Sequence, residues 1–288
     1  MAHKLKTGKN LNRPTYETVI INLFLLLFGV FFALPLVYAI CNSLKPLDEL
    51  WMFPPRFFVS NPTLKNFKDL FQLMSDSWVP FSRYIFNTAL VALVGTAGNV
   101  IICSMCAYAL SKHKMPGLKV IFEVIVITLM FNTAVTAVPM FLILSKLSLI
   151  NTYWVLILPA FATPMGLYLM KQFMEQMIPD ALLEAARIDG SGEYRTFFKI
   201  VMPLVKPAWM TLIIFSFQGL WNAGSTNLIQ DEQYKTLNYA LSQILSAGIA
   251  RSGAASAATV IMMIVPIVIF VISQSNVVES MATSGMKE

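Results

Sequence analysis

The sequence predicts an all-α integral membrane protein: one domain of six transmembrane helices with a structured cytoplasmic loop before the fifth. Three observations carry this. First, 57% of the 288 residues are hydrophobic and 12% are charged, about half the charge of an ordinary soluble domain, and the mean hydropathy is +0.66. Second, the apolar residues gather into six runs near the roughly 20 residues that a helix needs to cross the hydrocarbon core. Third, the Lys and Arg residues are divided unevenly between alternate loops. A soluble enzyme, a disordered chain and a nucleic-acid-binding protein all fit this composition poorly. The net charge of +6 reads as an orientation signal, not as a nucleic-acid partner.

The first run, Val19 to Ile40, follows Lys4, Lys6, Lys9 and Arg13. It is too long for the core of a signal peptide. Ile40 also stands where lipoprotein processing at Cys41 would need a small residue. The remaining runs are Phe86 to Leu110, Val120 to Leu144, Tyr153 to Met174, Ala208 to Asn227 and Ala254 to Ser273, with Gln218, Asn222 and Gly224 diluting the fifth. The expected organisation is a cytoplasmic segment 1–18, a transmembrane domain 19–273 and a cytoplasmic tail 274–288.

With the N-terminus inside, thirteen of the 21 Lys and Arg residues fall in inner segments and eight in outer ones. Five of those eight lie in the long segment Cys41 to Ile85, where the positive-inside rule is weak. The short loop with Lys112, Lys114 and Lys119 holds no acid. Both termini of a multi-pass plasma-membrane protein are therefore expected in the cytoplasm. The segment Cys41 to Ile85 interleaves five prolines with Trp51, Phe53, Phe57, Phe58, Phe67, Phe71 and Trp78. Proline interrupts regular structure and aromatic rings favour the headgroup zone, so a structured external cap is expected.

The inner loop 178–206 is the most informative stretch. Pro179 ends what precedes it, Asp180 can cap a helix, and Gly190 suits a left-handed stop. A helix of about two turns is too short to stand alone in water. Leu182, Ala185, Ala186 and Asp189 are spaced to share a face. A second amphipathic piece opens at Ser191 and runs through Tyr194, Phe197, Phe198 and Ile200 to Met202, where Pro203 breaks it. Between Lys171 and Lys206 five acids balance five bases. That balance suits a protein partner better than anionic lipid, which draws purely basic patches.

These residues resemble a family. Glu184-Ala185-Ala186, Asp189-Gly190, Phe197, Ile200 and Pro203-Leu204 resemble the EAA loop of the integral membrane permease subunits of bacterial ABC importers, of MetI-like fold. The runs Val138 to Phe141, Leu149 to Tyr153 and Leu158-Pro159 are similar to the carbohydrate-uptake branch of maltose permease type. The resemblance covers roughly Asn87 to Asn222; the tail Asn276 to Glu288 departs from the glycine-rich ending of that branch.

The resemblance implies the permease subunit of an ATP-driven importer, a path for a carbohydrate, expected to be an oligosaccharide, delivered by an extracellular binding protein. It implies no enzyme activity and no cofactor or metal on this chain, with ATP and Mg on a separate ATPase. The implied partners are a second homologous permease, two cytoplasmic ATPase subunits, the binding protein and membrane lipid. In the coupling loop, Glu184 would face a basic residue of the ATPase. Ala185 and Ala186 would allow close seating, and Gly190 would make a turn that a side chain would obstruct, with Asp189 and Pro203 completing the motif. The loop is shared across importers, so an amino acid, peptide or phosphate is the alternative cargo. An ATP-independent channel or scaffold is the alternative of another class.

Other features are read from the residues themselves. Gly8-Lys9-Asn10 lacks the glycine-rich loop and hydroxyl that hold a phosphate. Cys103 and Cys106 lie within a span, where cysteines pack as small apolar residues. His3 and His113 read as solvated surface, and no nucleophile, base and orienting acid can be assembled. Asn132, Thr133, Thr136 and Thr163, near Pro139, Pro159 and Pro164, are candidates for the translocation path, because polar groups and broken helices in lipid face a bundle interior or a cavity. They serve equally as helix-to-helix hydrogen bonds. Gln218, Trp221 and Asn222 combine a flat ring with amides, which suits a sugar, while an interfacial belt tryptophan explains the ring as well.

Overall fold

The computed structural model describes residues 15–75, 79–113, 115–224, 228–246, 248 and 251–284. His3, Lys114, most of the expected segment 1–18, the last four residues of the tail and the side chain of Thr133 lie outside the described residues.

The described residues form helices joined by turns, with no strand among them. Helix α1 (Thr15–Leu44) is followed by α2 (Leu47–Leu50) and α3 (Lys65–Ser75), then by α4 (Phe81–Lys112). Next come α5 (Leu118–Thr128), α6 (Thr133–Lys146), α7 (Trp154–Ala160) and α8 (Pro164–Met177). The expected inner loop holds α9 (Asp180–Ile188), α10 (Glu193–Thr196), a π-helical turn at Phe197–Val201 and α11 (Met202–Leu204). Helix α12 (Lys206–Trp221), a 3-10 turn at Glu232–Tyr234, α13 (Leu237–Ser246) and α14 (Ser252–Ser284) complete the chain.

Four helical stretches are long and apolar enough to cross a membrane: Thr18–Leu44, Phe81–Lys112, Trp154–Met177 and Ser252–Gln274. A fifth is counted if Glu193–Leu204 and Lys206–Trp221, bent by 82° at their junction, act as one. The third expected run is divided instead of continuous. Helix α5 has 11 residues and α6 has 14, about 16 and 21 Å of helix, each short of the roughly 30 Å core. The division has a local cause. The side chain of Asn132 accepts a 2.9 Å hydrogen bond from the N–H of Ala134 and so starts α6 as a new helix. The fourth run is interrupted between α7 and α8, where Thr163 is extended (φ −86, ψ 123), the conformation that a following proline imposes.

Helix α4 is the centre of the bundle and packs on α7, α8 and α12; α14 packs on α12, α1 and α3. Its glycines set how closely neighbours approach: a methyl group on Gly98 would overlap the ring of Phe161, and one on Gly95 would lie 2.5 Å from Leu220. At one end of α4, Cys103, Ala107 and Tyr108 join a core with Met170, Met174, Leu183, Phe197, Val201 and Val205. At the other end, Tyr84 joins Leu70, Met74, Leu237, Leu241 and Ala254. Helix α1 contrasts with both, since none of its most apolar stretch is buried within the chain.

The described residues between α1 and α4 are structured, as the prolines and aromatics suggest. Two buried charges organise it. The Glu49 carboxylate accepts the N–H groups of Ser60 at 2.7 Å and Asn61 at 3.3 Å, while Lys45 Nζ donates to Asn42 Oδ1 at 2.8 Å and to the Arg56 carbonyl at 2.5 Å. The Ser60 N–H is the largest influence on Glu49. With Asn61 and Lys45 it overrides the opposing effect of burial and holds the carboxyl below its ordinary value of 4.5.

Candidate coupling site and translocation path

The loop 178–206 folds into a helical knob seated on the end of α4. Asp180, expected as the cap of α9, is its first helical residue, and Pro179 takes the cap position. The Asp180 carboxylate pairs with Lys112 Nζ at 2.9 Å, and the same ammonium donates to the Ile178 carbonyl at 2.6 Å. At the far end Gly190 has φ +74, the N–H of Ser191 reaches the Ala186 carbonyl at 2.9 Å, and the N–H of Gly190 reaches that of Arg187 at 3.0 Å. This pair of bonds is the Schellman stop, which needs a left-handed residue. Among the described residues, apart from its two chain neighbours, no heavy atom lies within 4 Å of where a Gly190 side chain would begin. The glycine is thus required within this chain by its dihedral angle, not by crowding.

The expected shared face of α9 is split. Leu183 and Ala186 are buried, at 4% and 6% exposure, whereas Leu182, Ala185 and Asp189 are exposed. The inward pair is chosen by long-range packing, because Leu183 fits the core of Met174, Phe197 and Val201. The outer face therefore carries Glu184, Ala185, Asp189 and Ile188, the last 86% exposed. Glu184 makes no hydrogen bond or ion pair with another described residue.

Glu193 locks the second arm. Its carboxylate accepts from Tyr108 Oη at 3.0 Å and from Arg187 Nη2 at 3.1 Å, and His113 Nε2 stands 3.8 Å away. His113, read as solvated surface, is thus part of this cluster, edge-on to the Tyr108 ring. The arm then widens: the Met202 N–H bonds to the Phe197 carbonyl, one residue further back than in an α-helix, directly before Pro203, which has no N–H to donate. Pro203 lies exposed inside α11, and the chain turns at Val205, two residues later than expected. Trp209 Nε1 donates to the Met202 carbonyl at 2.9 Å across the corner.

The candidate path residues separate into three places. Asn132 and Thr136 are exposed on α6. Thr163 sits at the α7–α8 break, where its hydroxyl accepts a 2.8 Å bond from Asn99 Nδ2. Asn99, which sequence reading overlooks, is buried and also donates to the Ala160 carbonyl at 2.5 Å. With Thr163 and Ser216 it borders a cavity of about 180 Å³. Gln218 and Asn222 end α12, the Asn222 N–H and Nδ2 both meeting the Gln218 carbonyl, at 3.1 and 3.0 Å.

Trp221 is placed differently from both expectations. It is 5% exposed, stacks on Phe217 at 5.7 Å and donates to the Met262 carbonyl at 3.1 Å. In this conformation its ring is core, neither an interfacial belt nor a free platform. Cys103 is buried with its Sγ 3.8 Å from the Phe161 carbonyl, consistent with small-residue packing, while Cys106 is exposed. Asn99 could have been suspected as an amide inside an apolar run. Nothing local marks Glu193, whose partner Tyr108 is 85 positions away.

An all-helical bundle of four or five membrane-crossing stretches, with polar breaks inside them and a braced helical knob between two of them, defines a multi-pass membrane protein of the transport class. The chain belongs to the family of binding-protein-dependent transport system inner membrane components, whose model matches residues 99–283. It is therefore a component of a transport system and not an enzyme. It is 31% identical over 262 residues to the arabinooligosaccharides transport system permease protein AraQ of Halalkalibacterium halodurans, covering 88% of this chain and 90% of the relative. It is 28% identical to the diacetylchitobiose uptake system permease protein NgcG of Streptomyces coelicolor, over 90% of this chain and 85% of the relative. Its fold is similar to a chain of the crystal structure of a bacterial ABC transporter that imports the polysaccharide alginate, with a TM-score of 0.76 at 21% identity, covering 93% of this chain and 99% of that one.

Proposed function

We propose that this chain is the permease subunit of an ATP-driven importer and forms, with a second homologous permease, the path for an oligosaccharide. The observation that carries the coupling half of this reading is the α9 face. It is held rigidly on α4 by Lys112 and Glu193 yet leaves Glu184, Ala185, Ile188 and Asp189 free. A joint between a motor and a pore must be stiff on one side and complementary on the other. Glu184 would meet a basic residue of one of two ATPase subunits, which would hold ATP and Mg. The cargo half is supported by relatives named for arabinooligosaccharides and diacetylchitobiose. An extracellular binding protein as the donor is supported by the alginate transporter structure in complex with a pentasaccharide-bound periplasmic protein.

In this reading α5 and α6 together make the third of six crossings and α12 the fifth. The knob and both termini lie in the cytoplasm, and residues 19–273 form the permease domain. Asn132, Thr133, Thr136, Thr163, Gln218 and Asn222 are the path residues, and Trp221, stacked on Phe217 and bonded to the Met262 carbonyl, anchors the end of α12 that carries Gln218 and Asn222. The test is ATP hydrolysis by the reconstituted complex with its binding protein loaded in turn with oligosaccharides, peptides, amino acids or phosphate. Stimulation by a loaded oligosaccharide is expected. Stimulation only by one of the other ligands would overturn the cargo, and the absence of any associating ATPase would overturn the class.

A further inference from the structure

Between α3 and the start of α14, at the end of the bundle away from the knob, lies a cavity of about 430 Å³. It falls within the roughly 300–1,000 Å³ typical of small-molecule sites. We propose that it is a sugar subsite that holds one unit of a neutral oligosaccharide on the outer face. This rests on the carbohydrate reading above and deepens it.

The polar wall comes from one face of α3, where Asn66, Asp69 and Gln72 recur every three residues. Asn66 is 5% exposed and gives both amide hydrogens away, to the Ser43 carbonyl at 2.9 Å and the Lys45 carbonyl at 2.7 Å. Its own oxygen is left as an acceptor against Gly253, where a methyl group would overlap it. Asp69, half-buried, and Gln72 and Arg251, both exposed, make no side-chain hydrogen bond or ion pair with other described residues. Leu47, Leu73 and Ala254 supply the apolar floor.

The chemistry of this lining is selective. One carboxylate and one guanidinium face the same space, so it carries no net charge and favours neither an anion nor a cation. Acceptors on Asn66 and Asp69 match the hydroxyl hydrogens of a polyol, and Arg251 matches its oxygens. The leucine methyls match the C–H face of the ring. Trp51, outside this lining and 56% exposed, donates its indole N–H to Ser252 Oγ at 2.9 Å, one residue before Gly253. A charge-neutral set of donors and acceptors over an apolar floor matches the hydroxyls and the C–H face of one sugar ring.

The test uses the complete complex in lipid nanodiscs without its binding protein, with N,N′-diacetylchitobiose, arabinotriose and galactotriose as probes in saturation-transfer NMR. A probe that the complex takes up is expected to bind saturably. Asp69→Asn and Arg251→Gln should each weaken binding about tenfold and raise the KM of uptake without lowering kcat. Neither side chain pairs with another described residue, so neither change removes a described contact that holds the fold. No saturable binding of a transported probe, or undiminished binding in both variants, overturns the subsite. Variants that weaken docking of the binding protein while sugar binding is unchanged also overturn it, making the cavity a protein contact. Uptake of none of the three by the complex with its binding protein present overturns the carbohydrate reading itself, and the subsite with it.

Discussion

The hydroxyl of Tyr108 donates a 3.0 Å hydrogen bond to the Glu193 carboxylate and so ties the last turns of α4 to the second arm of the knob. Arg187 of α9 reaches the other oxygen of the same carboxylate. One side chain thus joins three helices, and the aromatic contact between Tyr108 and Phe197, with ring centres 5.6 Å apart, lies directly beneath it.

Tyr108→Phe and Glu193→Gln should each loosen the knob by about 1 kcal/mol, the ordinary worth of such a bond at a half-exposed site. Hydrogen exchange at the amides of Phe197 to Val201 reads this loosening. The double variant is expected to loosen the knob by less than the sum of the two single effects, because the two side chains share one bond while Glu193 also holds Arg187. Additive effects would show that the two side chains work separately.

Gly190→Val forces a β-branched residue to φ +74 and should destabilise the end of α9 by about 1–2 kcal/mol. Gly190→Asn should be milder, since asparagine tolerates the left-handed region. In the assembled transporter, Gly190→Val and Glu184→Lys are each expected to lower sugar uptake per ATP hydrolysed while the protein still reaches the membrane. Normal uptake and normal ATPase copurification with both would refute the coupling role of α9.

Gly98→Ala pushes a methyl group into the Phe161 ring. Overpacking of this kind costs about 1–3 kcal/mol, and here it presses on the segment that separates α7 from α8. A lower thermal midpoint in detergent is expected, with partial recovery when Phe161→Leu is added. A midpoint equal to that of the parent would show that α4 and the break are not in firm contact.

The clamp at Glu49 should be acid-sensitive. Its carboxyl is held below 4.5 in the folded chain, first by the Ser60 N–H. The contribution is therefore complete above the unfolded value and is lost as pH falls through the lowered folded value. Exchange protection at the Ser60 and Asn61 amides should hold at neutral pH and drop at strongly acidic pH, with Glu49→Gln removing the transition. A pH-independent protection pattern in the parent would rule this out.

Trp221→Ala should cost about 3–5 kcal/mol, as for any large buried aromatic, and reduce the yield of folded protein. Gln218→Ala should leave yield intact. If Trp221→Ala folds normally and changes only which sugar is taken up, the buried placement does not describe the working state.

Much of the fold is legible in the sequence because long apolar runs have few alternatives to crossing a bilayer. The loop 178–206, too, is marked by Pro179 and Gly190 at its first helix. What is missed is non-local. Asn132 and Thr163 stand out in the sequence as polar residues inside spans, but their side chains start a helix at α6 and receive Asn99 at the α7–α8 break. The helical period permits either Leu182 with Ala185 or Leu183 with Ala186 to face inward, and Phe197, well along the chain, decides between them. The pairing of Asn66 with Gly253 and of Tyr108 with Glu193 depends on which helix ends meet, and single-residue spacing carries no trace of that.

The corner at Val205 has a mechanical consequence. Val205 is fully buried, Trp209 braces the Met202 carbonyl across the corner, and the helix axis bends by 82° between the two arms. Such a piece is a bell crank. In the proposed coupling role, a push at the Glu193 end of the lower arm, about 18 Å of helix from the pivot, would reach α12 as a tilt, and a packed pivot would absorb little of the stroke. The throw at the far end of α12, where Gln218 and Asn222 stand, would then be set by the ratio of the two arm lengths.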